Sequence, residues 1–518
     1  MSKIRTIYLP IIVSLSIAIG VLVGAVLDFP INQELFVQNK ADLKLKKIMY
    51  LLDNEYYRSV DTDSVLDNVI GKVLKELDPY SAYIPSDDVG SLEEEMKGNF
   101  VGIGVNFYLF KDTLTVVKTI KGGPSEIAGI RAGDRILYVD NDTVFGKKAH
   151  QPNLMSRFKG KLNSKLQLVL YRPSDNKLHK FELKRDLVPI KSIVASFKLT
   201  QDIGYIKINR FAETTNREFD QALIKLKNNN ISTLVLDLRD NSGGYVEAVI
   251  EILDHFFDEN QLLFTSKNRY DEQQEFRTTA QGDFKQGSLY VLINENSASA
   301  SEIVAGAIQD TDRGIIIGKR SYGKGTVQKE VLMDDGAILR LTVAEYFTPS
   351  GRSIQKEENP NIPYDLIHQN LKNQHNSDQE EYYTKNNRVV YAKGGILPDI
   401  QIDDTTENQS VIFMMQSDLL INFVFEIIDN NRAFYQDISK EQLFANLTKN
   451  DYFVLFNNYL KNKNIHLYLE KDKSLISKYI KAEFCRQLFS DQEYYRVLLD
   501  NDIAIDKVLE DLEKSAKE

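Results

Sequence analysis

At 518 residues the chain is too long for one hydrophobic core, and domains of ~100–200 residues imply three or four units. Its hydrophobic (42%) and charged (27%) fractions are those of folded protein, and a net charge of −10 disfavours nucleic acid as a partner, which needs a concentrated basic face. One cysteine, Cys485, excludes an intrachain disulfide framework, and with six scattered histidines it offers no metal-ligand spacing.

Taken in chain order, Lys3 and Arg5 precede an uncharged run over 6–27, long enough to cross ~30 Å of hydrocarbon as a helix. It reads as a membrane anchor within 1–30, with a removed signal segment as the alternative because Val23, Gly24 and Ala25 offer small residues for cleavage. The leading positive charges keep the N-terminus cytoplasmic and place the remainder outside the cytoplasmic membrane.

Helical periodicity marks 41–57 and 65–77, with Ser64 and Asp67 suited to the second N-terminal turn, so 31–98 reads as a small helical region. From Phe100 the pattern changes to short apolar runs over 101–107, 114–120, 135–139 and 166–171, punctuated by glycine turns. They predict a compact, mostly-β domain over 99–187. Beyond it, strands over 203–208, 233–238, 289–293 and 315–317 alternate with helices over 216–227, 245–257 and 300–309. Apolar strands alternating with helices imply a largely parallel sheet covered on both faces, hence an α/β core over 188–405. A hairpin pairs 326–331 with 338–343, an Asn- and Gln-rich stretch over 356–393 reads as an irregular insertion, and 406–518 returns to helical period.

Ligands of an open parallel sheet bind beyond the carboxyl ends of its strands, which brings 239–244, 294–301 and 318–325 to one edge. In the second segment Ser299 stands where a strand turns into a helix. Small neighbours and the unpaired N–H groups of the helix start suit a nucleophile and an oxyanion. The same Ser-x-x-Glu, ending at Glu302, is also a capping box, and this segment alone leaves both roles open. In the third segment Lys324 sits between two glycines, and on a strand beginning there it would share a face with Thr326 and Gln328. A phosphate-binding loop fits less well: Gly325 replaces the required hydroxyl, and a strand follows instead of a helix. With no Gly-x-Ser-x-Gly and no histidine between His255 and His368, a base for Ser299 is more naturally lysine.

At these residues the chain resembles the C-terminal processing (tail-specific) proteases, Ser–Lys serine peptidases carrying a PDZ domain. The match covers the serine turn 294–302, the lysine turn 321–328, the spacing between them, Asp-Leu-Arg-Asp-Asn-Ser-Gly-Gly over 237–244 and Thr-Pro-Ser-Gly-Arg-Ser-Ile-Gln-Lys over 348–356. The resemblance implies a crotonase/Clp-like mixed α/β core with an inserted PDZ domain. It implies Ser299 as nucleophile, Lys324 as general base, Gln328 as its orienting partner, and oxyanion donors on backbone N–H groups near Gly243 and at Ala300. No cofactor or metal is required. Val101, Gly102, Ile103, Gly104 and Val105 resemble the loop that captures a terminal carboxylate, beside a strand edge that adds the peptide. The expected function is a serine endopeptidase cutting envelope proteins near accessible C-terminal tails, anchored in the inner membrane of a bacterium with its catalytic part in the periplasm. A catalytically idle PDZ scaffold is the alternative. Whether the PDZ domain delivers substrate or releases a plug stays open. The insertion and 410–518 depart from the family pattern, which leaves an adaptor or self-association role for the C-terminal region. Free lysine titrates near ~10.4, so Lys324 can accept a proton only where burial or positive charge lowers that value.

Overall fold

The structure is a computed structural model that describes residues 40–151, 154–280, 282–356, 380–402 and 408–517. The apolar run over 6–27 and most of the polar insertion lie outside these residues. Among the described residues no single helix is long and apolar enough to cross a membrane.

The chain divides into two units, Met1–Leu77 and Asp78–Glu518. In the first, the predicted helices are present as Lys40–Asn54 and Thr62–Lys75, the latter capped by Asp61, which accepts from the Ser64 N–H at 3.3 Å. The helical region expected over 31–98 ends sooner than its composition suggests. Strand Ala82–Ile84 pairs with Ile338–Phe347 of the core, so 78–98 belongs to the second unit.

The core of the second unit is a six-stranded sheet in the order Ile193–Lys198, Ile203–Ile208, Thr233–Asp237, Ser288–Ile293, Ile315–Gly318, Ile400–Gln401. All neighbours are parallel except the first pair. Strand alternation sends Leu234 and Leu236 to one face, where helices Thr215–Lys227, Val246–Asp254 and Ala300–Asp310 bury them. Val235 faces the other way, with Tyr290, Leu292 and Ile317, and is covered by Ala504, Ile505 and Val508 of the last helix, Ile503–Ser515. Each large apolar side chain buried there stabilises the fold by roughly 1.5–3 kcal/mol. The C-terminal region thus completes the core.

A second sheet joins the expected hairpin, Thr326–Leu332 with Ile338–Phe347, to a hairpin that sequence did not show, Leu262–Asn268 with Gln273–Arg277. In the inserted β domain the strand expected over 101–107 is two strands, Asn99–Gly102 and Val105–Phe110, broken where Gly104 turns to φ 68°. Asn99–Gly102 pairs with Asp186–Pro189, so the entering and leaving strands close the insertion on themselves. Within the insertion expected to be irregular over 356–393, the described part 380–393 is ordered: Glu381–Tyr383 pairs with Val389–Tyr391, and Arg388 bridges Asp312 and Asp399 at 2.6 Å each.

The C-terminal helical region has its own core. Helices Gln409–Gln416 and Leu419–Asn430 meet at 61° and bury Met414, Phe423 and Val424 in it with Cys485, whose thiol burial pushes up to about 11. The same helix pair holds the inserted domain: Phe425 packs on Tyr108 at 4.9 Å between ring centroids, and Arg135 forks onto Asp429.

Candidate active site

Ser299 caps helix Ala300–Asp310 at the carboxyl edge of the parallel sheet, with φ 54° and ψ −113°. That conformation is sparsely populated for a residue with a Cβ and costs of order 1–3 kcal/mol, so neighbours must enforce it. Tyr346, fully buried, donates its hydroxyl to the Ser299 carbonyl at 3.3 Å. Glu302, one turn into the helix and 0% exposed, accepts from the Ser299 N–H at 2.8 Å.

Glu302 also reaches the lysine turn. It accepts from Ser321 Oγ at 2.6 Å, from the Gly323 N–H at 2.7 Å and from the Lys324 N–H at 2.9 Å. The N–H groups of Ser299 and Lys324 donate to the same oxygen, Oε2. Their backbone nitrogens therefore lie within two hydrogen-bond lengths of each other, although 25 positions apart in sequence. Burial pushes the Glu302 carboxyl above its ordinary range, and its four donors offset part of that. The segment returning from the insertion locks the turn, with the Ile396 N–H donating to Ser321 Oγ at 2.6 Å.

Ser299, Lys324, Gln328 and Gly243 line one cleft of about 1400 Å³. Burial, then Arg340, lowers the Lys324 pKa, while Glu302 and Asp78 oppose the shift. The Lys324 ammonium sits 5.2 Å from the centre of the Tyr80 ring. No hydrogen bond joins it to Ser299 or to Gln328. The Gln328 amide instead donates to the hydroxyls of Thr326 at 3.0 Å and Thr342 at 3.3 Å. A β-bulge between Val327 and Gln328 shifts the register that a regular strand would have kept.

Gly243 lies against Ser299. A Cβ there would meet Ser299 Cβ at 3.0 Å and the Ala300 nitrogen at 3.1 Å, at a φ of 107°, so no larger residue fits. Its N–H donates to Asn241 Oδ1 at 2.9 Å, and that bond must open before the amide can serve an oxyanion. Beneath this loop Asp237 is 1% exposed and meets Arg239 at 2.6 Å and Lys207 at 3.5 Å. Burial alone would raise its pKa; the two cations outweigh burial and hold it well below the carboxylate range.

Val101, Gly102, Ile103, Gly104 and Val105 sit in the inserted domain, and none of them lines the catalytic cleft. Strand Val105–Phe110 ends its sheet, the position from which a strand can be extended. Sequence reasoning named Glu302 only as half of a capping box. It did not single out Asp78, Tyr80 or Arg340, which carry no local motif.

Residues 202–366 match the model of peptidase family S41, 101–184 match the PDZ domain, and 411–490 match a family of unknown function, DUF8443. The chain is 33% identical over 323 residues to the carboxy-terminal processing protease CtpB of Bacillus subtilis, covering 62% of this chain and 67% of that one. It is 30% identical over 439 residues to a "Probable CtpA-like serine protease" of Staphylococcus aureus, covering 81% and 87%. Among solved structures, the photosystem II D1 C-terminal processing protease is 26% identical, covering 70% of this chain and 87% of that one, with a TM-score of 0.37.

Proposed function

The chain belongs to the PDZ-containing C-terminal processing proteases, serine-type peptidases of family S41, and from that premise we propose that Ser299 and Lys324 are its nucleophile and general base. One observation carries this reading: a single buried carboxylate oxygen of Glu302 binds the backbone of both residues and brings two distant turns together at the cleft.

Neutral Lys324 accepts the Ser299 hydroxyl proton as Oγ attacks the scissile carbonyl carbon. The Ala300 N–H and a loop amide near Gly243 stabilise the oxyanion, and Lys324 returns the proton to the leaving amine. Water, deprotonated by the same lysine, then attacks the acyl carbon; the bond to Ser299 Oγ breaks, Lys324 returns the proton to Oγ, and the acyl group leaves as a carboxylate. The lowered Lys324 pKa raises the share of neutral amine at working pH. Gln328 acts through the Thr326 and Thr342 hydroxyls, the latter donating to Asp78 at 3.1 Å. Purified wild type is compared with Ser299→Ala and Lys324→Ala on an unfolded protein; each variant is expected to lose at least ~10³-fold in kcat/KM. Cleavage at the normal rate by either variant overturns the assignment.

The substrates we propose are envelope proteins with accessible C-terminal tails, bound through 101–105 and the free edge of Val105–Phe110. A peptide with a free terminal carboxylate should bind more tightly than its amide, and equal affinities would refute tail capture. Lys3, Arg5 and the run over 6–27 support an inner-membrane anchor with the catalytic part outside the cytoplasm. Digestion by protease added to intact spheroplasts tests this, and full protection of the chain would contradict it.

A further inference from the structure

A largely buried charge cluster joins the loop 239–244 to a region with no assigned role. Arg239 follows the strand Thr233–Asp237 and is held on both sides: by Asp237 at 2.6 Å, and by Asp502 of the C-terminal region at 2.9 Å. Asp502 divides its two oxygens. Oδ1 caps helix Ile503–Ser515, accepting from the N–H groups of Ala504 at 2.9 Å and Ile505 at 3.2 Å. Oδ2 faces Arg239.

From Arg239 the connection runs to the nucleophile through consecutive residues. The Asp240 N–H donates to Asn294 Oδ1 at 2.9 Å, and the Asp240 carboxylate accepts from Asn294 at 2.9 Å and Asn296 at 2.8 Å. The Asn241 carbonyl accepts from the Ala298 N–H at 3.0 Å and from Ser301 Oγ at 2.8 Å, on either side of Ser299. Lys207 donates to the Arg239 carbonyl. Two cations, Arg239 and Lys207, are thus balanced by two carboxylates, Asp237 and Asp502. Without Asp502 the partly buried guanidinium keeps only Asp237, which it shares with Lys207, and loses the anchor on the side of the C-terminal region.

We propose that Asp502 is a positioning residue for catalysis, through which the C-terminal helical region holds Arg239 and so sets the loop 239–244 against the serine turn. The inference rests on the Ser299–Lys324 reading and extends it: the C-terminal region is a working part of the catalytic centre. Its action is on the transition state, because the loop carries oxyanion donors and Asp502 touches no reacting atom.

The test compares full-length wild type with Asp502→Asn and Asp511→Asn on a short peptide. Asparagine at 502 keeps the capping oxygen and removes the charge facing Arg239. Asp511 is the control: it docks the same helix on the same sheet through Tyr290 at 2.8 Å, away from the loop. Asp502→Asn is expected to lower kcat about 10- to 100-fold with KM little changed. The Ki of a peptide boronate, which presents a tetrahedral oxyanion, should rise by a similar factor. Asp511→Asn should leave kcat, KM and that Ki unchanged. The proposal is overturned if Asp502→Asn keeps wild-type kcat, or if its loss only matches the unfolded fraction measured by thermal melting. Activity in Ser299→Ala would instead overturn the dyad, so the two failures are distinguishable.

Discussion

Two carboxylates are buried at the same sheet edge, and the chain treats them in opposite ways. Glu302, on the serine side, is met by three backbone N–H groups and one hydroxyl, all uncharged. Asp237, on the loop side, is met by Arg239 and Lys207. Burial governs the first and raises its pKa; cations govern the second and lower it. Neutral donors fix geometry without adding positive charge between Ser299 and Lys324, the proposed nucleophile and base. Charged partners fix the loop for which we propose an oxyanion-holding role and no proton transfer. The contrast teaches that one site can separate positioning from charge compensation.

The largest break in this contrast is Asp237→Ala. It strands two buried cations and should destabilise the protein by about 3–5 kcal/mol in urea unfolding, as removing one partner of a buried ion pair does. A loss below about 1 kcal/mol would mean that solvent already screens the cluster. Glu302→Gln comes next. The amide cannot accept from all four donors, and leaving some unpaired should cost about 2–3 kcal/mol with a ~10²-fold fall in kcat/KM. Wild-type activity in this variant would remove the shared anchor from the account.

The pH dependence of stability sharpens the same comparison. Asp237, held below its ordinary 3.8, contributes stability that is present above that pH and is lost as pH falls through the depressed value. Glu302, held above its ordinary 4.5, contributes in the opposite sense: its stabilisation is present below that pH and is lost as pH rises through the raised value. Unfolding free energies between pH 3 and 7 should therefore change slope in opposite directions for Asp237→Asn and Glu302→Gln. Parallel changes would show that the two carboxylates are not treated differently. The smallest effect is Arg340→Gln. Arg340 adds to the lowering of the Lys324 pKa, so with Lys324 as base its loss should move the acidic limb of the kcat/KM profile to higher pH and cost a few-fold at low pH. An unmoved limb would leave burial as the sole cause.

The parts of the fold that were legible are those in which composition and burial coincide. Ile203–Ile208 is buried at every position, and an apolar run predicts such a strand. The hairpin Leu262–Asn268 with Gln273–Arg277 stayed hidden because its second strand is polar and partly exposed, and pairing holds it in place. The meeting of the turns that carry Ser299 and Lys324 was legible because glycines and small residues mark turns at strand ends. The hydrogen bonds of Gln328 to Thr326 and Thr342 were not, because the register shift beside it is a feature of the ladder and has no residue signature. Glu302 was visible only as a local cap, since its second set of donors arrives from beyond residue 320. Asp502 looks like any helix N-cap until its other oxygen meets Arg239.

The protonation of Lys324 decides whether it can act as a base, and competitive acetylation reads it directly. The intact protein is treated with trace acetic anhydride across pH 6–12, and acetylation of Lys324 is followed by mass spectrometry against exposed lysines of the same chain. A Lys324 midpoint below the ordinary 10.5 is expected. A midpoint at or above that value would leave Lys324 charged at working pH and contradict its role as base.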